Sequence, residues 1–501
     1  MPIRITAGVG AALLGLILIF AGFCSVLGAI ARPFWYDEIC TVIVCRLPDA
    51  KAVWDALQNA ADTNPPIFYF IARLCRSIVM DDHLGYRLPS IVGLLVTISS
   101  IYLILSKRVD RLSALVGATF ILCSPLATYA FEARPYALMV ACISLAILAW
   151  QRIDDSKLSA FALAITLAFA VSLHYYAILV WSAFLAAEAT ILLHHRRFRI
   201  GVWAALMAGA VPLLFFANLL LNLRLYYGQS FWAHPSFRQL FADYSWLFNF
   251  NGYWAWILAA CVVGMAAYWS LQKTELLSSA VSIEESLLTM VLLCLPVIAV
   301  TVAKVSHGGM TRRYMVPTIV GGALALGYLA SKVPALVNAL LLGLMLLNYS
   351  SNSVSDWKRL SGGSLYEARQ GATNDVKMIL DQHAASGLPI VISSGLRYLP
   401  MAYYAPAGST RKLYAVTDPP TAVKLVGTDS VDLALLALRR YFPLRVEDYD
   451  SFVSMHREFL VVFGKEDVFD WWPARISQEG HNIQLLTESA NYKVYKVVLK
   501  P

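Results

Sequence analysis

Long apolar stretches are the sequence feature that most constrains the fold of this chain. A transmembrane helix needs about 17–25 predominantly apolar residues to cross a hydrocarbon core about 30 Å thick. Eleven stretches approach or reach this length, at 7–30, 86–106, 112–131, 136–150, 158–176, 177–193, 200–223, 253–271, 287–303, 314–331 and 333–349. Because an apolar helix satisfies its own backbone polar groups in lipid, the pattern predicts an α-helical polytopic membrane protein. No small-residue cleavage site follows the first stretch, which predicts a retained anchor.

The composition excludes an ordinary soluble enzyme. Hydrophobic residues make up 58% of the 501 residues and charged residues only 14%, whereas soluble domains contain about 25% charged residues. The net charge of +8 would suit nucleic acid, but the basic residues stand in short clusters between apolar stretches, which is typical of membrane loops. We therefore expect no nucleic-acid partner. The cysteines show no zinc-site spacing, and a disulfide between Cys40 and Cys45 is left open.

The segment 66–80 decides which loops share a side of the membrane. It is apolar but short, and it contains Arg73 and Arg76. The basic clusters that test the topology lie at 107–111, 152–157 and 194–199. If the segment lies in the membrane interface, all three clusters fall on the side of Arg4, as the positive-inside rule requires. We therefore predict an interfacial or re-entrant helix whose arginines reach toward the polar surface.

This topology predicts two domains. Residues 1–349 form the transmembrane domain, with a first outer loop at 31–85, and residues 350–501 form a soluble domain on the outer face. The tail has strand-like runs at 389–393 and 459–463, a helix-like run at 431–441, and a final pair of alternating segments, IQLLTE and YKVYKVVL. These patterns predict a small α/β domain that ends in a hairpin. We expect it to cover a cavity or to bind an acceptor.

Two carboxylates begin the first outer loop directly after the first apolar stretch. Adjacent charges at the lipid boundary are unfavourable unless they are solvated, paired or used in function. Tyr36, Asp37 and Glu38 could simply start a solvated loop within an interfacial aromatic belt. The loop continues through an amphipathic stretch at 46–60 to a rigid turn, Asn64-Pro65-Pro66, which predicts a loop folded over a cavity mouth.

Several cations are predicted on the same outer face. Arg134 stands between two apolar stretches, where its planar donors would bind a phosphate or a carboxylate, or form a local ion pair with Glu132. His174 and Tyr175 occupy the next outer junction, as interfacial anchors or as site residues. The loop 304–313 contains Lys304, Arg312 and Arg313. Because these cations oppose the positive-inside rule, they indicate an anionic ligand or lipid-headgroup anchoring.

Carboxylates and cations on one face suit a displacement reaction. A carboxylate deprotonates an acceptor hydroxyl while cations stabilise a departing phosphate. Nucleotide sugars are cytoplasmic, so a phosphate leaving group on the outer face is expected to be carried on a lipid. The sequence therefore favours group transfer from a lipid phosphate.

The order of these motifs resembles that of GT-C glycosyltransferases that use polyprenyl-phosphate sugars, close to the protein O-mannosyltransferase and aminoarabinose transferase family. The matching motifs are Tyr36-Asp37-Glu38, Asn64-Pro65-Pro66, Tyr86-Arg87-Leu88-Pro89-Ser90, Glu132-Ala133-Arg134-Pro135-Tyr136, His174-Tyr175-Tyr176 and Arg313-Tyr314. The resemblance covers about residues 1–320. It implies a GT-C fold with about eleven transmembrane helices and interfacial helices in the first outer loop.

The resemblance also implies roles for single residues. Asp37 would be the general base, supported by Glu38. The residues expected to contact the donor phosphate are Arg134, Arg312, Arg313 and Lys304. Those expected to shape the substrate and acceptor loop are Tyr36, Asn64, Pro65, Pro66, His174 and Tyr175. Some members of the family are independent of metals and others have a divalent ion near the carboxylates, so a metal ion near Asp37 and Glu38 is left open.

The implied enzyme lies in the bacterial inner membrane, with its active site and soluble tail on the periplasmic side. It would transfer one sugar, with inversion, to a lipid, a polysaccharide or a protein. Transfer of a whole oligosaccharide to asparagine is disfavoured, because Trp471-Trp472-Pro473 does not match the Trp-Trp-Asp-Tyr-Gly motif of that branch. The alternative is a transporter or flippase of a lipid-linked sugar, which predicts paired half-repeats and ionisable residues deep within spans. The sugar, the acceptor and the oligomeric state are left open.

Overall fold

The computed structural model describes residues 5–249, 281–361, 379–382, 386–405, 412–464, 467–489 and 491–500. The chain divides into two compact units. The first, here called the helical unit, comprises Met1–Ile30, Phe70–Ala217 and His234–Lys358. The second, here called the mixed unit, comprises Ala31–Tyr69, Asn218–Ala233 and Arg359–Pro501. The first part of the outer loop thus groups with the tail, and the predicted domain boundary after residue 349 stays a prediction.

Helices account for almost all regular structure up to residue 361. The α-helices span Ala7–Ala31, Tyr36–Cys45, Ala50–Gln58, Ile67–Ile78, Asp82–Leu105, Arg111–Phe120, Leu126–Tyr129, Tyr136–Gln151, Lys157–Leu173, Trp181–His195, Ile200–Ala210, Pro212–Tyr227, Leu240–Leu247, Ile283–Leu293, Leu295–Ser306, Thr318–Ala330 and Ala335–Ser361. Several begin at side chains that accept hydrogen bonds from the otherwise unpaired amides of the first turn. Asp81 accepts from Leu84 N at 2.8 Å, and Asp110 accepts from Leu112 N at 3.0 Å.

Each predicted span that falls in the described residues coincides with an apolar helix. Five helices are long and apolar enough to cross a membrane: Ala7–Ala31, Asp82–Leu105, Tyr175–His195, Ile200–Tyr227 and Ala335–Lys358. The pair Ile283–Leu293 and Leu295–Ser306, bent by 55°, makes a sixth if it is counted as one span. Four shorter apolar helices cover Arg111–Cys123, Tyr136–Gln151, Leu158–Leu173 and Thr318–Ala330. The polytopic helical fold is confirmed, and the predicted span 253–271 lies outside the described residues.

Besides the bend within 287–303, the predicted span 112–131 is broken. The stretch 112–131 was expected to be continuous, but the α-helix ends at Phe120, a short 3₁₀ turn follows, and a separate helix spans Leu126–Tyr129. The break falls at Ser124 and Pro125. Proline has no backbone N–H to donate and restricts the residue before it to extended conformations, so the helix cannot run through this point unchanged.

The three basic clusters meet at one end of the helical unit, as the predicted topology requires. Lys107 Nζ lies 3.4 Å from Asp155 Oδ2, and Arg197 lies 2.8 Å from Asp154 Oδ1. These pairs join the first cluster to the second and the second to the third. The three clusters share a side whether the segment 66–80 lies in the interface or spans the membrane, so its interfacial placement stays a prediction.

The segment 66–80 itself forms the helix Ile67–Ile78. Its 12 residues give a length of about 18 Å, which is shorter than a bilayer core. Leu74 and Ile78 are 61% and 73% exposed, and Arg76 forms an ion pair with Asp82. An amphipathic helix with an exposed apolar face supports the interfacial prediction.

The tail contains a six-stranded sheet with β1 at Ile390–Ile392, β2 at Leu413–Thr417, β3 at Val446–Asp448, β4 at Glu458–Gly464, β5 at Asn482–Glu488 and β6 at Tyr492–Val498. The strand order is β3-β2-β1-β4-β6-β5. The first four strands are parallel, and β6 is antiparallel to both β4 and β5. Helices span Gly395–Tyr404, Pro419–Val426, Ser430–Leu438, Tyr449–Met455 and Trp472–Glu479. The predicted α/β domain with a terminal hairpin is confirmed.

The core of this sheet explains the tryptophan pair in the tail. The rings of Trp471 and Trp472 stack with centroids 5.3 Å apart, and both side chains are almost fully buried with Phe452 and Phe459. Large aromatic side chains contribute much of the apolar area in a core of this size. The pair therefore stabilises the tail.

The disulfide that the sequence left open is not formed. Cys40 and Cys45 both lie on the helix Tyr36–Cys45 as buried thiols. Residues five positions apart on a helix point in different directions, because each residue turns the helix by about 100°. Their thiols therefore cannot meet.

We expect Gly93→Val to destabilise the helical unit. A Cβ at Gly93 would lie 2.6 Å from the backbone of Ala137, so the helices Asp82–Leu105 and Tyr136–Gln151 would have to separate. Overpacking of this kind costs about 1–3 kcal/mol of unfolding free energy. Gly15→Val is the matched control, because no atom lies within 4 Å of its Cβ position. Equal thermal unfolding midpoints for the two variants in detergent would contradict this close helix contact.

Candidate functional site

Arg134 is fixed in a short connection between two helices of the helical unit. Its backbone N donates to Glu132 O at 2.8 Å, and its carbonyl accepts from Ser90 Oγ at 2.9 Å. Pro135 follows, and the helix Tyr136–Gln151 begins immediately after it. The Arg134 side chain is only 3% exposed. A buried guanidinium is unfavourable without anionic or polar partners, so this position marks a polar site at the helix ends.

Several aromatic rings pack against one another near this arginine, in what we call the arginine–aromatic cluster, which comprises Arg134, Tyr136, His174, Tyr176 and Tyr314. The ring centroids of Tyr136 and His174 are 5.5 Å apart, and those of His174 and Tyr314 are 4.7 Å apart. Tyr176 stacks on Tyr314 at 4.6 Å and donates its hydroxyl to Gly309 O at 2.6 Å. The charges of Arg134 and Arg313 both act on Tyr314. The structure thus brings the predicted residues Arg134 and His174 together, and Arg313 directly precedes Tyr314 of the same cluster.

His174 is held as a neutral imidazole. It lies at the junction after the helix Lys157–Leu173 and is 5% exposed. Burial, with a further contribution from the charge of Arg134, lowers its pKa from 6.5 to about 3. Its Nδ1 accepts from Tyr176 N at 3.3 Å, so the cluster carries the positive charge of Arg134 and none from this ring.

The other predicted cations have different contacts. Arg312 Nε lies 4.0 Å from Asp243 Oδ1, and its guanidinium lies over the ring of Trp246 at 5.7 Å. Lys304 Nζ lies 5.7 Å from the ring centroid of Phe237, in an exposed position. Cation–π contacts and ion pairs of this type compete with a ligand for the same charge. Phosphate contacts by Arg312 and Lys304 stay a prediction.

The motif at 86–90 lies on one helix and donates hydrogen bonds to two other parts of the helical unit. Arg87 is 1% exposed and donates to Ala29 O at 2.6 Å, at the end of the first helix. Ser90, almost one turn later, donates to Arg134 O. Residues three apart lie on the same face of a helix, so this spacing was a signal for a shared role. No role for this motif was expected from the sequence.

The predicted catalytic pair begins the helix Tyr36–Cys45 of the mixed unit. Glu38 is 1% exposed, and its Oε2 accepts from Trp35 N at 3.3 Å. This contact caps the helix, because it satisfies an amide that has no helical partner. Asp37 lies beside it in the first turn and is partly exposed. The positive end of the helix dipole favours a negative charge at both positions.

A carboxylate that the sequence analysis missed connects this helix to the acceptor loop. Thr41 Oγ1 donates to Asp62 Oδ2 at 3.0 Å, and Thr63 N donates to Asp62 Oδ1 at 2.7 Å. Asp62 is 6% exposed. It lies two residues before Asn64 of the turn Asn64-Pro65-Pro66, whose residues are all buried. The turn is therefore anchored to the helix that contains Asp37.

Two buried polar atoms in the first outer loop have no hydrogen-bond partner among the described residues. They are the hydroxyl of Tyr36 and Nδ2 of Asn64. Burial raises the pKa of Tyr36 well above its usual value, with smaller contributions from Cys40, Tyr227 and the carboxylates of Asp37 and Asp432. The phenol therefore stays protonated. Ligand hydroxyls or water commonly satisfy such atoms.

Two further predictions concern Tyr175 and a metal ion. Tyr175 is 9% exposed, and its ring meets Phe216 with centroids 6.4 Å apart. This contact is ordinary aromatic packing, and a substrate contact by Tyr175 stays a prediction. In the part of the chain that the structure describes, no group of three His, Cys, Asp or Glu side chains has an arrangement that could hold a metal ion.

Comparison with known proteins confirms the fold. Residues 63–221 match the family model described as dolichyl-phosphate-mannose-protein mannosyltransferase. The crystal structure of ArnT from Cupriavidus metallidurans in the apo state matches 97% of this chain and 98% of its own, with a TM-score of 0.56 and 14% identity. The structure of the same protein bound to undecaprenyl phosphate matches 98% of both chains, with the same TM-score and identity. No curated protein matches in sequence. The GT-C fold implied by the sequence resemblance is confirmed.

The depressed pKa of His174 predicts a pH dependence of stability. An unfolded histidine binds a proton near pH 6.5, whereas the folded His174 does so only near pH 3. The unfolded state therefore gains protons first as the pH falls, and this residue removes up to about 1.4 kcal/mol of stability for each pH unit below 6.5. His174→Gln should lose less stability than the wild type between pH 7 and pH 5. Thermal unfolding in detergent measures this difference.

The exposed His194 provides the matched control, as His194→Gln. Comparing slopes against pH removes any constant effect of a substitution on stability. If His174→Gln and the wild type lose stability with the same slope, His174 is not a buried neutral imidazole.

Proposed function

We propose that this chain, which has the GT-C fold, is a membrane glycosyltransferase that takes a single sugar from a polyprenyl-phosphate donor. The observation that carries the proposal is the buried guanidinium of Arg134 within the arginine–aromatic cluster. The family match at 63–221 includes Arg134 and His174, and one ArnT structure of the same fold is bound to undecaprenyl phosphate. These observations agree with a lipid-phosphate donor.

The donor phosphate would be bound by Arg134 and Arg313. A guanidinium offers a planar fork of donors that matches two oxygens of a phosphate. In a site with little water the attraction between these charges is stronger than in bulk solvent. Because His174 is neutral, it adds no positive charge beside Arg134. The arginines alone therefore attract the anion. The same cations stabilise the phosphate as it departs on its lipid.

Asp37 is the general base in this proposal. Its carboxylate takes the proton from an acceptor hydroxyl, the acceptor oxygen bonds to the anomeric carbon, and the bond from that carbon to the phosphate oxygen breaks. A single displacement inverts the anomeric centre. Glu38 supports the reaction indirectly. It caps the helix on which Asp37 lies and so helps to hold Asp37 in position. The donor and the acceptor are the two reactants, and no step requires a redox partner.

The acceptor would be a hydroxyl-bearing lipid, polysaccharide or protein on the extracytoplasmic face of a bacterial inner membrane. The basic clusters at the opposite end of the helical unit agree with this orientation. Tyr36, Asn64 and the Pro65-Pro66 turn belong to the loop proposed to shape the acceptor site. The two buried polar atoms of Tyr36 and Asn64 are available to hydroxyl groups of a substrate.

Purified protein incubated with a panel of polyprenyl-phosphate sugars should release polyprenyl phosphate when an acceptor extract from bacterial envelopes is added. Chromatography of the lipid products measures this release. A flippase would instead move the intact donor between leaflets of a vesicle and release no polyprenyl phosphate. That second outcome, with every donor tested, would replace the transferase proposal.

Asp37→Asn should lower transfer by at least about a thousandfold, because the amide cannot accept the acceptor proton. Donor binding should change less than about twofold. Glu38→Gln is the matched variant: its amide oxygen still accepts from Trp35 N, so we expect a much smaller loss of transfer. Near-normal turnover by Asp37→Asn would show that another group is the base.

Arg134→Ala should weaken binding of undecaprenyl phosphate by about 10- to 100-fold, because a charge-assisted hydrogen bond contributes about 1.5–3 kcal/mol. Arg238→Ala, at an exposed position, is the matched control and should leave the affinity unchanged. Equal affinities for both variants, measured by a fluorescent lipid-phosphate displacement assay, would remove Arg134 from the donor site.

A further inference from the structure

We infer that the C-terminal tail positions the helix that contains Asp37, and that Tyr404 is the positioning residue with the most direct contact. This inference rests on the proposed function, because it concerns the proposed base. The tail and the beginning of the first outer loop belong to the same compact unit. The role suggested by the sequence, covering a cavity or binding an acceptor, does not require these contacts.

The first contact precedes the helix. Phe34 N donates to the hydroxyl of Tyr404 at 2.5 Å. Phe34 lies outside the helix Tyr36–Cys45 and is 1% exposed, so this hydrogen bond is shielded from bulk water. A buried backbone N–H requires a partner, and a tail side chain supplies it. The backbone three residues before Asp37 is therefore held by the tail.

The second contact fixes both ends of the same helix. Tyr403 meets Phe34 edge to face, with ring centroids 6.3 Å apart. Arg46, directly after the helix, lies over the ring of Tyr403 at 5.5 Å. Consecutive residues of one tail helix thus contact the residues on either side of the helix Tyr36–Cys45. The tail helix Gly395–Tyr404 follows β1 of the parallel sheet, which provides a rigid support.

The tail also holds the next helix of the loop, Ala50–Gln58. Tyr441 donates its hydroxyl to Asp55 Oδ2 at 2.7 Å, and Arg440 donates to Asn59 Oδ1 at 2.9 Å. Single exposed hydrogen bonds of this kind are weak. Their value here is geometric, because they act on a second helix and prevent the loop from rotating about the first.

A third segment of the mixed unit, Asn218–Ala233, contacts both the loop and the tail. Tyr226 donates to Leu433 O in the tail at 2.8 Å, while the adjacent Tyr227 donates to Ala60 O in the loop at 3.2 Å. Ser230 donates to Asp429 Oδ1 in the tail at 2.7 Å. Loop, tail and connecting segment therefore contact one another pairwise, which gives the loop a defined conformation before substrate arrives.

Positioning by the tail has a kinetic consequence. A general base acts only within hydrogen-bond reach of the proton that it removes, and a displacement of about 1 Å can lower the rate by about a hundredfold. Removing the Tyr404 hydroxyl removes its hydrogen bond with Phe34 N and leaves the aromatic ring in place. We expect a loss in the chemical step and little change in donor binding.

The experiment compares Tyr404→Phe with Tyr495→Phe in the full-length protein. Tyr495 lies on β6, where its ring meets Phe463, and the described residues give its hydroxyl no hydrogen bond.

Three quantities are measured: kcat and KM for the polyprenyl-phosphate sugar that the wild type uses, the unfolding midpoint, and hydrogen exchange of backbone amides in peptides that cover 33–41. For Tyr404→Phe we expect kcat to fall about tenfold, donor KM to stay within about twofold, and exchange at 33–41 to accelerate. Tyr495→Phe should resemble the wild type in all three.

Unchanged exchange at 33–41 in Tyr404→Phe overturns the inference, and so does an unchanged kcat. A rise in donor KM without a fall in kcat assigns Tyr404 to binding and also overturns it. Equal losses in both variants indicate a general effect on the fold and count against it too. If the wild type transfers sugar from no donor, the proposed function fails by itself, and the exchange comparison still decides whether the tail orders the loop.

Discussion

A guanidinium withdrawn from water is the constraint around which the polar end of the helical unit is arranged. Arg134 is 3% exposed, and such a charge is tolerated only where dipoles, rings or anions replace its hydration. The surroundings of Arg134 have a fixed geometry: Ser90 donates to its carbonyl, Pro135 precedes the next helix, and the rings of Tyr136 and His174 pack at a tilt. A lipid phosphate entering from the membrane would meet a site that needs little rearrangement.

The proposed base has a different kind of support. Asp37 lies on a short helix whose start is capped by Glu38 and whose flanking residues contact the tail. A ten-residue helix is marginal in isolation, so its position depends on these tertiary contacts. The tail is thus a part of the machinery that orients the loop, in addition to being a folded domain with its own aromatic core.

Features governed by local rules could be predicted from the sequence. The apolar stretches followed from the thickness of a bilayer, and the terminal hairpin followed from two alternating runs. Arg134, His174 and Arg313 were selected because charged or polar groups at span ends require an explanation. The pairing of basic clusters, seen as Lys107 with Asp155, followed from the positive-inside rule.

Features that depend on distant partners could not be predicted. The residues near Arg312 in sequence gave no indication of its contact with Asp243. Likewise, the role of Asp62 depends on its hydrogen bond with Thr41, 21 residues away. The role of Phe34 depends on its hydrogen bond with Tyr404, 370 residues away. The break at Pro125 was readable in principle, but the apolar residues around it favoured one continuous span. Local patterns therefore identified the elements, while long-range hydrogen bonds decided how the loop is held.

The central claim is that Arg134 and Arg313 bind the lipid phosphate, which gains a second negative charge when the sugar leaves. Phosphorus NMR of undecaprenyl phosphate added to the purified protein in detergent measures the charge of the bound phosphate directly, as its chemical shift is followed against pH. A free phosphate monoester takes up its second proton near pH 6. The account predicts that the bound phosphate titrates at least about one unit lower, because the guanidinium groups favour the dianion. A bound signal that titrates at the same pH as the free lipid, or no bound signal at all, would contradict it.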